Sequence, residues 1–296
     1  MGGRVSFFDA IDANKRNSFI LIFVMVLIYL GVSIFFAYAF DLGWCLPILS
    51  MGIIIVQAFV SYYYGDKIIL ATSGAKEVDP KQNPFLYNVV EGLSLASLIP
   101  MPKVYIIQDD SINAFATGRD PKHASVAVTT GALSALNREE LEGVLAHEIS
   151  HIANYDILYS MIAVVFVGSI GLIAQMGSRM LWYGGSSNRR DRGGGGALLI
   201  LGLVFAILAP IIAQMVQLAL SRQREYLADA NGARLTRYPN GLASALEKIH
   251  SNPIPTQGAN STTASLYFSN PFPNKFLSLF STHPPIEDRV KRLRSM

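Results

Sequence analysis

His147 and His151 stand four positions apart, with Glu148 directly after the first, in the run His147-Glu148-Ile149-Ser150-His151. On a helix, two histidines at that spacing lie on one face, one turn above the other, so both imidazoles can reach one zinc ion. Glu148 is rotated off that line, beside the water such a metal activates, where a carboxylate suits a general base. The chemistry implied is metal-assisted hydrolysis. A helix is expected here, because Asn137 followed by Glu140 makes a capping-box pair. Leu141, Val144, Leu145, Ile149 and Ile152 supply an apolar face that runs to about Tyr155.

A catalytic zinc takes three protein ligands and keeps a fourth position open. The sequence holds five histidines, of which His123 beside Lys122 and His250 near Pro253 read as solvated or capping residues. The better third donor is acidic. In Ser221-Arg222-Gln223-Arg224-Glu225-Tyr226-Leu227-Ala228-Asp229, Glu225 and Asp229 are four apart and share a helical face. Glu225 is assigned as the third ligand. Asp229 is assigned as the carboxylate that accepts a hydrogen bond from a ligand histidine and fixes its tautomer.

The elements that must position these groups include a bilayer. The 296-residue chain is 51% hydrophobic and only 15% charged, against about 25% charged in ordinary soluble domains. A charge-free run from Phe19 to Phe40 is long enough to cross the roughly 30 Å hydrocarbon core as a helix. Further apolar runs cover Trp44 to Tyr64, Ile157 to about Met176 and at its longest on to Tyr183, and Ala197 to Leu220. The first run exceeds the roughly 7 to 15 apolar residues of a signal-peptide core, so an uncleaved anchor is expected. Gln57, Gln175, Gln214 and Gln217 interrupt these runs, Arg179 is their only basic residue and none is acidic. An ion relay is therefore not indicated, although Pro210 breaks the fourth run as in some transporters. The single Cys45 excludes an internal disulfide. The net charge of +3 comes from scattered basic residues and suggests no nucleic-acid surface.

Arg4, Lys15 and Arg16 precede the first run while Asp41-Leu42-Gly43 carries no basic residue, which sets the N-terminus in the cytoplasm. Two crossings return residues 65–156 to that side. Arg189, Arg190 and Arg192 in the glycine-rich connection 184–196 would then face outward, against the same rule. His151 stands six residues before the third run and Glu225 five after the fourth, about 8 to 9 Å along a helix in each case. A transmembrane hairpin thus brings His147, His151 and Glu225 to a similar height near the membrane surface.

The expected architecture is a mainly α integral membrane protein with about four transmembrane helices and a cytoplasmic α+β, gluzincin-like domain containing a small β-sheet. Residues 1–64 form a two-helix anchor, 65–156 and 221–296 the two parts of the peptidase domain, and 157–220 a transmembrane hairpin. Helix-like periodicity over Asn83 to Ser97 ends at Pro100 and Pro102. Strands are expected over Val104 to Gln108, Asn113 to Thr117 and Ser125 to Thr130. The Asn113 to Thr117 run reads as an edge strand able to hold an extended substrate by β-addition, through Asn113, Ala114, Phe115 and Ala116. His283, between Thr282 and Pro284, is a candidate for stabilising a tetrahedral oxyanion, with Arg289 orienting it.

The sequence resembles the HtpX-type membrane zinc metalloproteases, relatives of the CAAX prenyl endopeptidases. The resemblance spans nearly the whole chain. It rests on the anchor pair, Asn113 to Gly118, His147 to His151 with Asn154, Ser221 to Asp229, and Thr282-His283-Pro284-Pro285 with Arg289. It implies one zinc ion held by His147, His151 and Glu225, Glu148 as base, and Asn154, Asp229 and Arg289 behind the ligands. It further implies ATP-independent endoproteolysis of misfolded or damaged membrane proteins in stress-related quality control, at the plasma or inner membrane. Two rival readings stand beside it: a non-catalytic metal-binding scaffold or transporter, and a prenyl-peptide protease with more membrane crossings. The oligomeric state is left open.

Overall fold

The computed structural model describes residues 7–39, 43–166, 168, 222–259, 263–272 and 284–296. It is mostly helical, with one small mixed sheet. Two helices begin it, α1 (Phe7–Ala39) and α2 (Cys45–Thr72). Both contain stretches long and apolar enough to cross a membrane, Asp12–Gly31 and Pro47–Thr72. Phe19, Phe23, Ile48, Ile53 and Phe59 stand exposed along them, as lipid-facing side chains would. The remainder of the third apolar run beyond residue 168, the whole of the fourth, and the connection 184–196 lie outside the described residues.

Strand β1 (Lys76–Glu77) follows, then α3 (Pro84–Ser97). Asn83 caps α3 by accepting from the Leu86 amide, and Pro84 fills its first position; Leu98 in the left-handed region ends it. Strands β2 (Lys103–Ile107), β3 (Ala114–Gly118) and β4 (Ala124–Thr129) complete the sheet, in the order β1-β2-β4-β3. β2 and β4 run parallel, Val104 opposite Val126, while β3 is antiparallel to β4, Ala116 opposite Val126. The expected edge strand is therefore at the edge. Gly118, with φ of 142°, lets β3 turn into β4: a Cβ there would lie 2.3 Å from the His123 carbonyl.

After the short helix α4 (Thr130–Ala135) comes α5 (Arg138–Ala153), which carries both histidines. The capping box forms as expected, Asn137 Oδ1 accepting from the Glu140 amide and Glu140 Oε2 from the Asn137 amide. At Asn154 and Tyr155 the chain turns through 84° into α6 (Asp156–Phe166). The first ten residues of the third apolar run are thus in α6, where Ile157, Leu158, Ile162 and Phe166 are buried. Leu158, Ile162 and Phe166 pack with Ile69 of α2, Phe115 of β3 and Tyr267, while Ile157 joins the core that holds Leu145 and Ile149 of α5.

α5 packs against β3, α3, α7 (Arg222–Thr236) and α8 (Pro239–Ser251). Gly143 makes the α8 contact close, since a Cβ there would stand 2.6 Å from the Leu242 nitrogen. Leu86, Val126, Leu145, Leu246 and Leu293 share one core, so the described blocks before and after residues 169–221 fold as one body. The last described helix, α9 (Ile286–Arg294), has Glu287 and Asp288 in its first turn and Lys291, Arg292 and Arg294 in its last, which complements its dipole.

Candidate active site

The helical spacing does what the sequence requires of it. Nε2 of His147 and Nε2 of His151 lie 3.1 Å apart, and Glu225 Oε2 and Oε1 stand 3.7 and 3.4 Å from them respectively. Tetrahedral ligands at ordinary zinc distances are about 3.3 to 3.5 Å from one another. These three side chains, whose ligand atoms all lie within 4.8 Å of one another, are the group among the described residues able to hold a metal ion. Glu225 reaches them because α7 lies hard against α5: a Cβ on Gly232 would sit 3.1 Å from the His147 nitrogen.

The far nitrogen of each imidazole meets a carboxylate. His147 Nδ1 is 2.9 Å from Asp229 Oδ1, and His151 Nδ1 is 2.9 Å from Asp156 Oδ2. A carboxylate only accepts, so each Nδ1 carries a proton and Nε2 is the atom of each ring left to ligate a metal. Arg289, buried to 1% exposure, donates Nε and Nη2 to the two oxygens of Asp229 at 2.9 and 2.7 Å and lies over the Phe268 ring. Expected from the sequence to lie behind the ligands and to orient His283, Arg289 is engaged with Asp229, which holds His147. His283 itself lies outside the described residues.

For the polypeptide alone, burial holds the His147 pKa down at about 4, so this imidazole stays neutral as a ligand must. Burial opposes charge on His151, yet hydrogen bonds to Asp156 and Glu225 lift it well above the usual histidine range. Glu148, 2% exposed, is pushed up to about 7 by burial, with the Glu225 charge adding to the rise and a hydrogen bond from the Ala116 backbone opposing it. Burial also penalises the Asp229 charge, but Arg289 and His147 bring it down to about 2. Four carboxyl groups, Glu148, Asp156, Glu225 and Asp229, share this region with the guanidinium groups of Arg224 and Arg289. With His151 neutral, as metal ligation requires, the carboxylates outnumber these cations, an excess a divalent cation offsets.

A cleft opens on these groups, lined also by Ala116 of β3 and by Ser265 to Phe268. Of the four expected substrate-strand residues, only Ala116 lines it. Phe115 is fully buried against Tyr267, the Ala114 carbonyl accepts from the Phe268 amide, and the Asn113 side chain is held by Thr256 and Ser269. These contacts fasten residues 263–272 along the first half of the β3 edge. Asn154, expected behind the ligands, is buried at the end of α5, its side-chain atoms without hydrogen-bond partners among the described residues. Asp156 is a site residue that the sequence reading misses; its place five residues after His151 is the signal that could have found it. Cys45 is exposed, and His123 and His250 lie at the surface as expected.

A fold of mostly helical layers around a small mixed sheet, with a His-Glu-x-x-His helix facing a glutamate on a second helix, defines a metallopeptidase. The chain belongs to Peptidase family M48, whose profile matches residues 80–296. It is 50% identical to the Protease HtpX homolog of Dictyoglomus thermophilum over 98% of this chain and 95% of that protein. It is 47% identical to the homolog of Thermoanaerobacter pseudethanolicus over 99% of each. The crystal structure of S. mikatae Ste24p shares the fold at a TM-score of 0.50 with 16% identity, over 97% of this chain and 67% of that one. The chain is accordingly a membrane metalloprotease, and the scaffold and transporter readings fall away.

Proposed function

We propose that this protease uses zinc, held by His147, His151 and Glu225, to cleave unfolded or damaged membrane proteins at the cytoplasmic surface of the cell membrane. The observation that carries this reading is the convergence of two Nε2 atoms and a carboxylate, with both Nδ1 atoms fastened by acids. Zinc held there supplies a Lewis acid that activates water and polarises a peptide carbonyl.

Glu148 takes the proton of the attacking water and passes it to the leaving amine, a task suited to a carboxyl whose pKa burial has raised toward neutrality. Asp229 and Asp156 keep the two imidazoles in the metal-binding tautomer, and Arg289 holds Asp229. The β3 edge at Ala116, which lines the cleft, receives an extended segment of substrate. His283, on its position in the Thr282 to Pro285 motif, donates to the oxyanion. Asn14 of α1 touches Asp156, so the start of α1 and the site share one side, and Arg4, Lys15 and Arg16 favour the cytoplasm for both.

The test is to purify wild type and Glu148→Gln in detergent without chelator, measure metal content, and incubate each with zinc and casein. One zinc per chain in both, with cleavage by wild type alone, is expected. Cleavage by Glu148→Gln removes Glu148 as base, and wild type without zinc removes the ligand assignment.

A further inference from the structure

The first helix, which sequence motifs mark only as an anchor, reaches the candidate site. Asn14 of α1 is buried, and its Nδ2 donates to the Asn154 carbonyl at 2.9 Å and to Asp156 Oδ1 at 2.7 Å. The other oxygen of Asp156 accepts from His151 Nδ1. One carboxylate therefore joins Asn14 on one side to His151 on the other. Arg224 Nη1 stands 3.4 Å from Asn14 Oδ1, and the Lys15 ammonium lies 4.2 Å from the centre of the Tyr155 ring.

These contacts fall on the one place where α5 needs help. The last carbonyls of a helix have no partner within it, and at Asn154 the chain turns 84° into α6 through Tyr155 at φ of 62°. A bulky residue in the left-handed region persists only where its surroundings fix it. The amide of Asn14 carries two protons and serves both acceptors at the bend, which no apolar residue can do. Asp156 is within reach of His151 only because of that bend: five residues on, an unbroken helix would carry it off the His151 face.

We propose that Asn14 is a positioning residue for the metal site. It holds the Asp156 carboxylate against His151 Nδ1, so that His151 Nε2 faces His147 and Glu225 only while α1 is docked. The site is in this way completed by the membrane anchor, and whatever displaces the start of α1 loosens it. The proposal rests on His151 being a metal ligand.

The experiment measures zinc affinity of the full chain in detergent by competition with a chelator of known affinity. It compares wild type with His151→Ala, Asn14→Ala, Asp156→Asn, the Asn14→Ala/Asp156→Asn pair, and Asn17→Ala, a change on the exposed face of α1. Partners behind metal ligands typically contribute 10- to 100-fold in affinity. Asn14→Ala is expected to bind zinc roughly 10-fold more weakly, Asp156→Asn at least as weakly, and the pair no more weakly than Asp156→Asn alone. Asn17→Ala should match wild type. Wild-type affinity in Asn14→Ala overturns the proposal, as does a loss that adds in full to that of Asp156→Asn, since Asn14 would then act by another route. Should Asn14→Ala fail to purify, Asn14→Asp keeps size and shape but sets a second carboxylate against Asp156; undiminished affinity there overturns the proposal equally. Zinc retained by His151→Ala overturns the underlying metal assignment instead.

Discussion

Arg289 grips both oxygens of Asp229, Nη2 at 2.7 Å from Oδ1 and Nε at 2.9 Å from Oδ2, with both side chains buried. Removing one partner of such a pair leaves an uncompensated charge in the interior, typically at a cost of about 3 to 5 kcal/mol. Arg289→Met should therefore lower the unfolding free energy by an amount of that order and weaken zinc binding through His147. Asp229→Asn in the same chain should restore part of the stability, because no buried charge is then stranded. Denaturant unfolding in detergent checks this; equal stability of wild type and Arg289→Met would deny the pair any structural weight.

The same carboxylate predicts a pH dependence. In the folded chain Asp229 titrates at about 2, below its ordinary 3.8. A depressed carboxylate contributes stability that is complete above the unfolded value and vanishes as pH falls through the folded one. With zinc removed by chelation, the stability gap between wild type and Asp229→Asn should hold steady above about pH 4. It should narrow by roughly 2 kcal/mol as pH approaches 2. A gap that stays constant over that window would show that Asp229 is not held as an anion.

Gly232 offers a steric test of how Glu225 reaches the histidines. A methyl group there meets the α5 backbone at His147 N, 3.1 Å away, and helix backbones yield only by moving apart. Gly232→Ala should cost about 1 to 3 kcal/mol of stability through overpacking and weaken zinc disproportionately, because α7 shifts away from α5. Titration with zinc beside a melting curve separates the two effects, and an unchanged zinc affinity would mean the helices absorb the methyl elsewhere.

Zinc itself should stabilise the fold. Anything bound only by the native chain adds stability by mass action, about 2.7 kcal/mol at a hundredfold excess over Kd. Chelation should lower the melting temperature, and added zinc should return it; His147→Ala should melt at one temperature with and without chelator.

Features of this site that follow from local spacing are legible in the amino-acid sequence. The capping box, the histidine pair and the shared face of Glu225 and Asp229 are all set within one or two helical turns, where periodicity alone fixes direction. Asp156 is not legible, because its approach to His151 depends on a bend at Tyr155 that helical periodicity cannot anticipate. Asn14 meets its partner 142 residues away, and in the sequence it is one polar residue beside a basic pair. Asn113 and Phe115 read as substrate contacts, but strand alternation and the neighbouring 263–272 segment turn them inward. Hydropathy likewise marks Leu158 to Phe166 as apolar without showing their partners, which the fold supplies from α2 and β3.

The reach of Arg289 back to Asp229 also bears on the order in which the protein is made. Chains emerge from the ribosome N-terminus first, so the two histidines and Glu148 exist well before Glu225, and Asp229 precedes its counterion by a further 60 residues. Until α9 emerges, the acid that should fix His147 has no guanidinium to hold it in place. Of the described groups gathered around the two histidines, Arg289 is thus the last to be synthesised, and the buried pair it makes with Asp229 forms only when the chain is nearly complete.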